Sequence, residues 1–288
     1  MIVVLVMLNN IQEYIIDNIN NLLKFGNKDI YVITDQKFGK FFSDLSPIKI
    51  FYIEDLYLKF EQGEYEKIRT REKRTFRGGF WFFTSYRFKA IEYLMRLEGI
   101  GPIVHIENDV LVYQNLDQIK FHTDEKIILV KDSQTRCIPS IMYIPNVNLL
   151  EVNLKMFDRN KNDMNNWGKA KDVDTFPIIL PELDPTLTIK KDDKDLERVD
   201  SIFSRNFSKY KVIFDGAAIG QYLGGIDPRN CPGNEDTSGF VNETCVVNYS
   251  KFKFIWRNSV PYLVYHNKEI PIICLHIHCK NLKKFVYS

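Results

Sequence analysis

The chain has 288 residues, 45% of them hydrophobic and 14% aromatic, with a formal net charge of +2. That length and apolar fraction suit one large α/β domain with a packed core. The balance of 39 basic against 37 acidic residues lacks the basic excess of a general nucleic-acid binder, so no nucleic-acid partner is expected.

The opening stretch, MIVVLVML, has no charged leader and is too short to span a bilayer, so it reads as a buried strand. In QEYIIDNINNLLKFG, Ile15, Ile19, Leu22 and Leu23 recur at helical spacing until Gly26 stops the helix. IYVITD is a second strand ending at Asp35, GKFFSDL a short helix, and IKIFYI a third strand. Strand, helix, strand, helix, strand is the order of a parallel sheet with crossovers, a Rossmann-like half. Ligands of such sheets sit beyond the carboxyl ends of the strands. Asn9, after the first strand, and Asp35, after the second, are therefore candidates for contact with a base or ribose.

A basic stretch, EKIRTREKRTFRGGF, precedes the helix WFFTSYRFKAIEYLMRL, which would bury Phe83, Ile91, Leu94 and Met95. Arg77 and Arg87 lie on or before this helix, within reach of an anionic nucleotide. Next comes VHIENDVLVY, residues 104–113, where Glu107, Asn108 and Asp109 interrupt an apolar run. Residues i and i+2 share one face of an extended chain, about 7 Å apart, so both carboxylates can approach one hard divalent cation. A solvated turn is the plainer alternative. Acids flanked by apolar segments on both sides nevertheless need a partner.

Further on, IKKDDKDLERVD (189–200) reads as a solvated charge run. In FDGAAIGQYLGGIDPRN, Asp215 closes a strand and opens a helix. There it can cap the helix or face a sugar beside the small residues Gly216, Ala217 and Ala218. FKFIWRN, PYLVYHN and IPIICLHIH read as late strands, the last carrying His276 and His278 on one face. The five cysteines form no CxxC pair, so free thiols and a cytoplasmic protein are expected, with no transmembrane segment. Cys274 lies about 13 Å along an extended strand from His278, which argues against one zinc held by this cluster.

HIENDVLVY, placed after a Rossmann-like half, resembles the DXD motif of GT-A fold glycosyltransferases, with Glu in the first position. CLHIHCKNLKKF is similar to the late histidine and lysine of glycogenin-like and galactosyltransferase-type members, without their glycine and proline–tryptophan ending. The resemblance implies an α/β fold of GT-A type, a Rossmann-like mixed sheet flanked by helices. It implies a single catalytic domain over 1–288, with 1–113 as nucleotide-binding half and 114–288 as acceptor half and C-terminal elaboration. It also implies a Mn2+ (or Mg2+) cofactor held by Glu107, Asp109 and His278 or His276, and a nucleotide-sugar donor, a UDP-sugar first, bridged by that ion. Donor contacts would come from Asn9, Asp35, Arg77, Arg87, Asn108, Lys280 and Lys284, the last standing six residues after His278. Asp215 would position the sugars, and a carbohydrate or glycoconjugate would be the acceptor, with retention of configuration. Two other readings stay open. A nucleotidyltransferase would share sheet and acids but needs a glycine-rich phosphate loop, and MLNNIQEY has no glycine. A non-catalytic carbohydrate-binding module would use the aromatics without a metal.

Overall fold

The computed structural model describes residues 1–60, 70–72, 74–121, 123–189, 199–233, 237–241 and 245–286. Most of the charge run at 189–200 lies outside the described residues.

The N-terminal alternation is present. Strand β1 (Ile2–Met7) leads into helix α1 (Ile15–Lys24), β2 (Ile30–Thr34), a 3-10 turn over Gln36–Phe42, β3 (Ile48–Tyr52) and α2 (Ile53–Phe60). Helix α3 (Phe80–Glu98) precedes β4 (Ile103–Ile106) and β5 (Val110–Val112). Then come β6 (Ile127–Lys131), β7 (Cys137–Ile144), α4 (Val147–Leu154), α5 (Asp163–Trp167), β8 (Val173–Thr175) and α6 (Phe207–Tyr210). The chain closes through β9 (Ile213–Phe214), α7 (Ala218–Gly224), β10 (Lys253–Arg257), β11 (Val260–Tyr265), β12 (Lys268–His276) and α8 (Lys283–Val286).

The main sheet has seven strands in the order β3-β2-β1-β4-β7-β6-β8. Pairs β3/β2, β2/β1, β1/β4 and β6/β8 are parallel, while β4/β7 and β7/β6 are antiparallel. This is the mixed α/β architecture expected. Side chains of β1 alternate between two cores: Val3, Leu5 and Met7 join one cluster and Val4 the other, because successive residues of a strand point to opposite faces. Both faces are covered, as parallel sheets require. On one face, α2, α3 and α4 pack through Leu56, Phe88, Ile91, Leu94 and Leu150. On the other, α1 packs through Ile15, Ile19 and Leu22 into a core shared with Leu111, Phe214 and Leu275.

The opposite-face layer contains a second sheet, β10-β11-β12-β5, with β9 pairing β12. The motif segment therefore changes sheets: β4 stays in the main sheet, and β5 pairs antiparallel with β12, Val110 opposite His276. The three residues between them, 107–109, sit where the two sheets part. None of the described helices is long and apolar enough to cross a membrane.

Candidate active site

At that parting, the Glu107 carbonyl accepts from the Val110 N–H at 3.0 Å, so the motif is a tight turn rather than an extended strand. The turn brings both carboxylates to one side. Helix α1 fixes it from below: Asn18 Nδ2 donates to the carbonyls of Glu107 (3.2 Å) and Asn108 (3.1 Å), and Asn21 Nδ2 to that of Val112 (2.7 Å). Both asparagines are fully buried, which a helix face tolerates only when such partners exist. Asn108 turns away from its neighbours, its amide donating to the Val6 carbonyl (2.8 Å) and Gln12 Oε1 (2.5 Å).

The pairing of β5 with β12 carries the tail histidine to the motif. The Ile277 N–H donates to the Asp109 carbonyl at 2.8 Å, and His276 Nε2 lies 3.1 Å from Asp109 Oδ2 and 3.7 Å from Glu107 Oε2. One donor atom from each of Glu107, Asp109 and His276 falls within 4.8 Å of the others. His276 Nδ1 is 2.8 Å from the Gly216 carbonyl, which can only accept. That partner holds a ring proton on Nδ1, so giving up the Nε2 proton, which otherwise bonds Asp109, leaves the tautomer a metal ligand requires. Two carboxylates and a neutral imidazole at this spacing fit a hard or borderline divalent cation.

Charge around the cluster is closely balanced. Lys280 ion-pairs with Asp109; Arg87 ion-pairs with Glu107 and, at 2.9 Å, with Asp163 of α5. Burial pushes the Asp109 carboxyl up, but Lys280 and His276 outweigh it and hold the group well below the usual carboxylate range. Burial likewise pushes His276 down, and Asp109 and Glu107 more than reverse this, raising it to about 9. The acids thus attract a positive charge at the point where His276 meets them.

A cleft of about 730 Å³ opens over the cluster. Its lining includes Asn9, Tyr14, Arg77, Arg87, Glu107, Asn108, Asp109, Asp163, Arg229, His276, His278 and Lys280. Asn9, at φ 73°, carries the chain around the end of β1; its side chain donates to the Gly78 carbonyl at 3.0 Å. Arg77 donates to the Arg229 carbonyl (3.1 Å) and Asn230 Oδ1 (2.8 Å), bridging the two walls.

Four of the candidate side chains lie apart from the acids. Asp215 does not face the cleft. The residue is 1% exposed, and its carboxylate accepts from the N–H groups of Ile219 (3.0 Å), Gly220 (2.7 Å) and His276 (3.1 Å). It ties the start of α7 to the end of β12. His278 stands outside the cluster of acids, because β12 ends at His276 and the chain then turns; its Nδ1 accepts from the Asp227 N–H at 2.9 Å. Burial, then His276 and Lys280, push it down to about 4, so it stays neutral. Lys284 lies on α8 over Phe285, away from the cleft lining, and Lys280 occupies the place its spacing suggested. Asp35 is buried and accepts from the Asn9 N–H at 2.6 Å, shaping the β1 turn from behind the lining.

Sequence reading passed over Asn18, Asn21, Asp163 and Asp227. The signal for the first two was present: asparagines three apart on the apolar face set by Ile15, Ile19 and Leu22. Asp163, far away in sequence, gave none.

Among solved structures, the chain is similar to glycosyltransferases. An active-site mutant of LgtC matches with 12% identity and a TM-score of 0.41, over 69% of this chain and 82% of that one. Mouse xyloside xylosyltransferase 1 matches with 9% identity and a TM-score of 0.38, over 62% of this chain and 86% of that one. A cytidylyltransferase from Leptospira borgpetersenii is also similar, with 9% identity and a TM-score of 0.35, over 61% and 75%. No family model matches the chain, and no curated protein matches it either. At such identities, function has to be read from this chain's own side chains.

Proposed function

We propose that the chain is a divalent-metal-dependent glycosyltransferase that moves a sugar from a nucleotide-diphosphate-sugar, a UDP-sugar first, to an acceptor hydroxyl. The observation that carries this reading is the meeting of Glu107, Asp109 and His276 within 4.8 Å at the carboxyl end of β4, inside a cleft large enough for a nucleotide-sugar. These three residues would hold manganese or magnesium, which when bound supplies Lewis-acid charge to the donor diphosphate.

The chain's own groups divide the rest of the work. Lys280 sits beside Asp109, placed to pass to the diphosphate and offset the negative charge that grows as the glycosidic bond breaks. Arg87, clamped by Asp163, fixes the Glu107 carboxylate. Asp215 holds the His276 backbone and Gly216 its ring, so both act as positioning residues. A retaining, front-face route, in which the donor phosphate oxygen takes the acceptor proton, suits this cleft. Asp109 and Asp227 are each ion-paired with a cation and held below the usual carboxylate range, which makes each a weak general base.

Purified protein mixed with UDP-sugars and Mn2+ should release UDP, and chelation should stop the release. Absence of release, together with no UDP binding by calorimetry in the presence of Mn2+, would refute the reading. Proton NMR of the first-formed product reads the stereochemistry; an anomeric centre opposite to the donor's would exclude retention. A nucleotidyltransferase would instead release pyrophosphate from a nucleoside triphosphate and a sugar phosphate.

A further inference from the structure

Eight large hydrophobic side chains are exposed among the described residues, and three of them, Ile11, Phe76 and Trp81, line the one cleft that holds the acids. Phe76 is 55% exposed and Trp81 43%. Their ring planes lie only 17° apart, with centroids 6.4 Å apart, so the two rings form a stacked pair. Phe80, also in the lining, stands edge-on to both, at 83° to Phe76 and 73° to Trp81. Large apolar groups left in water beside a cleft carry a free-energy cost that a ligand can recover.

The rim is built rather than incidental. Arg77, Gly78 and Gly79 have φ of 48°, 69° and 89° in succession. This left-handed run turns the chain so that α3 begins at the cleft with its first two side chains, Phe80 and Trp81, in the lining. A Cβ on Gly79 would come within 3.0 Å of the Glu72 carbonyl, so the turn admits no larger residue there without a shift. The Arg77 guanidinium lies 5.0 Å above the Phe76 ring while bonding Arg229 and Asn230 across the cleft. One side chain thereby fixes the aromatic wall to the opposite wall.

We infer that this rim is the acceptor subsite, and that it takes a neutral pyranose ring of a glycan or glycoconjugate by stacking the sugar's C–H face on the Phe76–Trp81 pair. The inference rests on the transferase reading above and names the acceptor's class. A pyranose matches the surface because it is flat and apolar on one face and ringed by hydroxyls. The face meets the aromatic rings, and the hydroxyl edge meets the polar groups of Arg77 and Asn230. An uncharged ring is enough, because ring stacking and hydroxyl contacts need no charge on the ligand, and the Arg77 guanidinium is already bonded to Arg229 and Asn230. A bilayer surface is a poorer match, since these rings line a concave wall shared with carboxylates instead of forming a convex patch.

Saturation-transfer NMR and calorimetry with a panel of neutral methyl pyranosides, in the presence of UDP and Mn2+, test this directly. At least one pyranoside should bind the wild-type protein. Trp81→Ala should weaken that binding about tenfold, as expected for an aromatic anchor. Trp81→Phe, which keeps a ring, should recover most of it, and Phe76→Ala provides an independent variant if Trp81→Ala folds poorly. Binding of UDP with Mn2+ should stay within about twofold in all three, because the rim touches the acceptor and not the nucleotide. Equal pyranoside affinity in wild type and both alanine variants would overturn the inference. So would a panel with no binder in a protein that binds UDP and Mn2+, or selective loss of sedimentation with phosphatidylcholine–phosphatidylglycerol vesicles in Trp81→Ala. Failure of the transferase reading gives a different signature, wild-type protein that ignores UDP and Mn2+. Pyranoside binding in such a protein would remove the acceptor role and sink the inference as stated.

Discussion

Asp215→Ala separates a positioning carboxylate from a chemical one. The Asp215 carboxylate is buried and accepts three backbone N–H donors, from Ile219, Gly220 and His276. Alanine leaves all three donors short of a partner in a region that water does not reach. Hydrogen bonds to a charged group contribute about 1.5–3 kcal/mol each. Burial opposes the charge and raises the Asp215 pKa, and the N–H donors of Gly220, His276 and Ile219 offset this only in part, so the net loss is well below the sum of three. About 3 kcal/mol is the reasonable figure, in the range for a broken buried network. For 288 residues, an unfolding entropy near 2.1 cal/mol/K per residue converts that loss into a Tm drop of about 5 °C. Because the His276 N–H is one of the three, its ring should also lose its fixed position, weakening Mn2+ about 10–100-fold, the usual cost of losing a group that orients a ligand. Asp215→Asn keeps one good acceptor and should fall between. Differential scanning calorimetry and Mn2+ titration read both effects. A variant with wild-type Tm and wild-type Mn2+ affinity but a kcat reduced a thousandfold would refute the positioning role and return Asp215 to the chemistry.

Asp163→Asn should weaken Mn2+ binding by about tenfold without abolishing it, since Asp163 acts on Glu107 only through Arg87; a titration unchanged from wild type would exclude that relay. Gly220→Ala places a Cβ 2.0 Å from the His276 carbonyl oxygen, a backbone atom that cannot step aside. It should lower Tm by at least as much as Asp215→Ala and displace the end of β12, whereas a stable variant with intact metal binding would show that α7 does not pack so closely. Native-state labelling at pH 8 should modify Cys231 and Cys279, which are half-buried, and spare Cys137, Cys245 and Cys274; rapid labelling of Cys137 would contradict its placement in the core. Burial raises the Cys137 thiol to about 12, against 9 for the free group. Above pH 9 the unfolded chain therefore loses a proton that the native one keeps, and stability should fall as pH rises from about 9 to 12, by up to about 1.4 kcal/mol per pH unit for this group. Cys137→Ala should flatten that alkaline slope in chemical denaturation.

Strands β1 to β3, α1 and α3 were readable because each carries its own periodicity: Ile15, Ile19 and Leu22 repeat at helical spacing, and β1 buries both faces. Glu107 and Asp109 were legible for a related reason, two acids inside an apolar run. Asp215 was legible as a residue but not as a role, since capping and catalysis place the same side chain at the same strand-to-helix step. Only the direction of its oxygens, toward three N–H groups, decides between them. The choice between His276 and His278 depended on where β12 stops, and spacing to a lysine pointed the wrong way. Lys280, not Lys284, reaches the acids because the chain turns at Ile277–Lys280, where Lys280 itself has φ 65°.

By itself, the sequence determined which segments become strands and helices and which residues carry charge into the interior, because those are properties of short windows. The tertiary structure decided which of them meet. Antiparallel pairing of β5 with β12 sets Val110 opposite His276 across 166 positions of chain, and α5 brings Asp163 to Arg87. No local pattern encodes such contacts; they exist because two sheets share one core and part at residues 107–109.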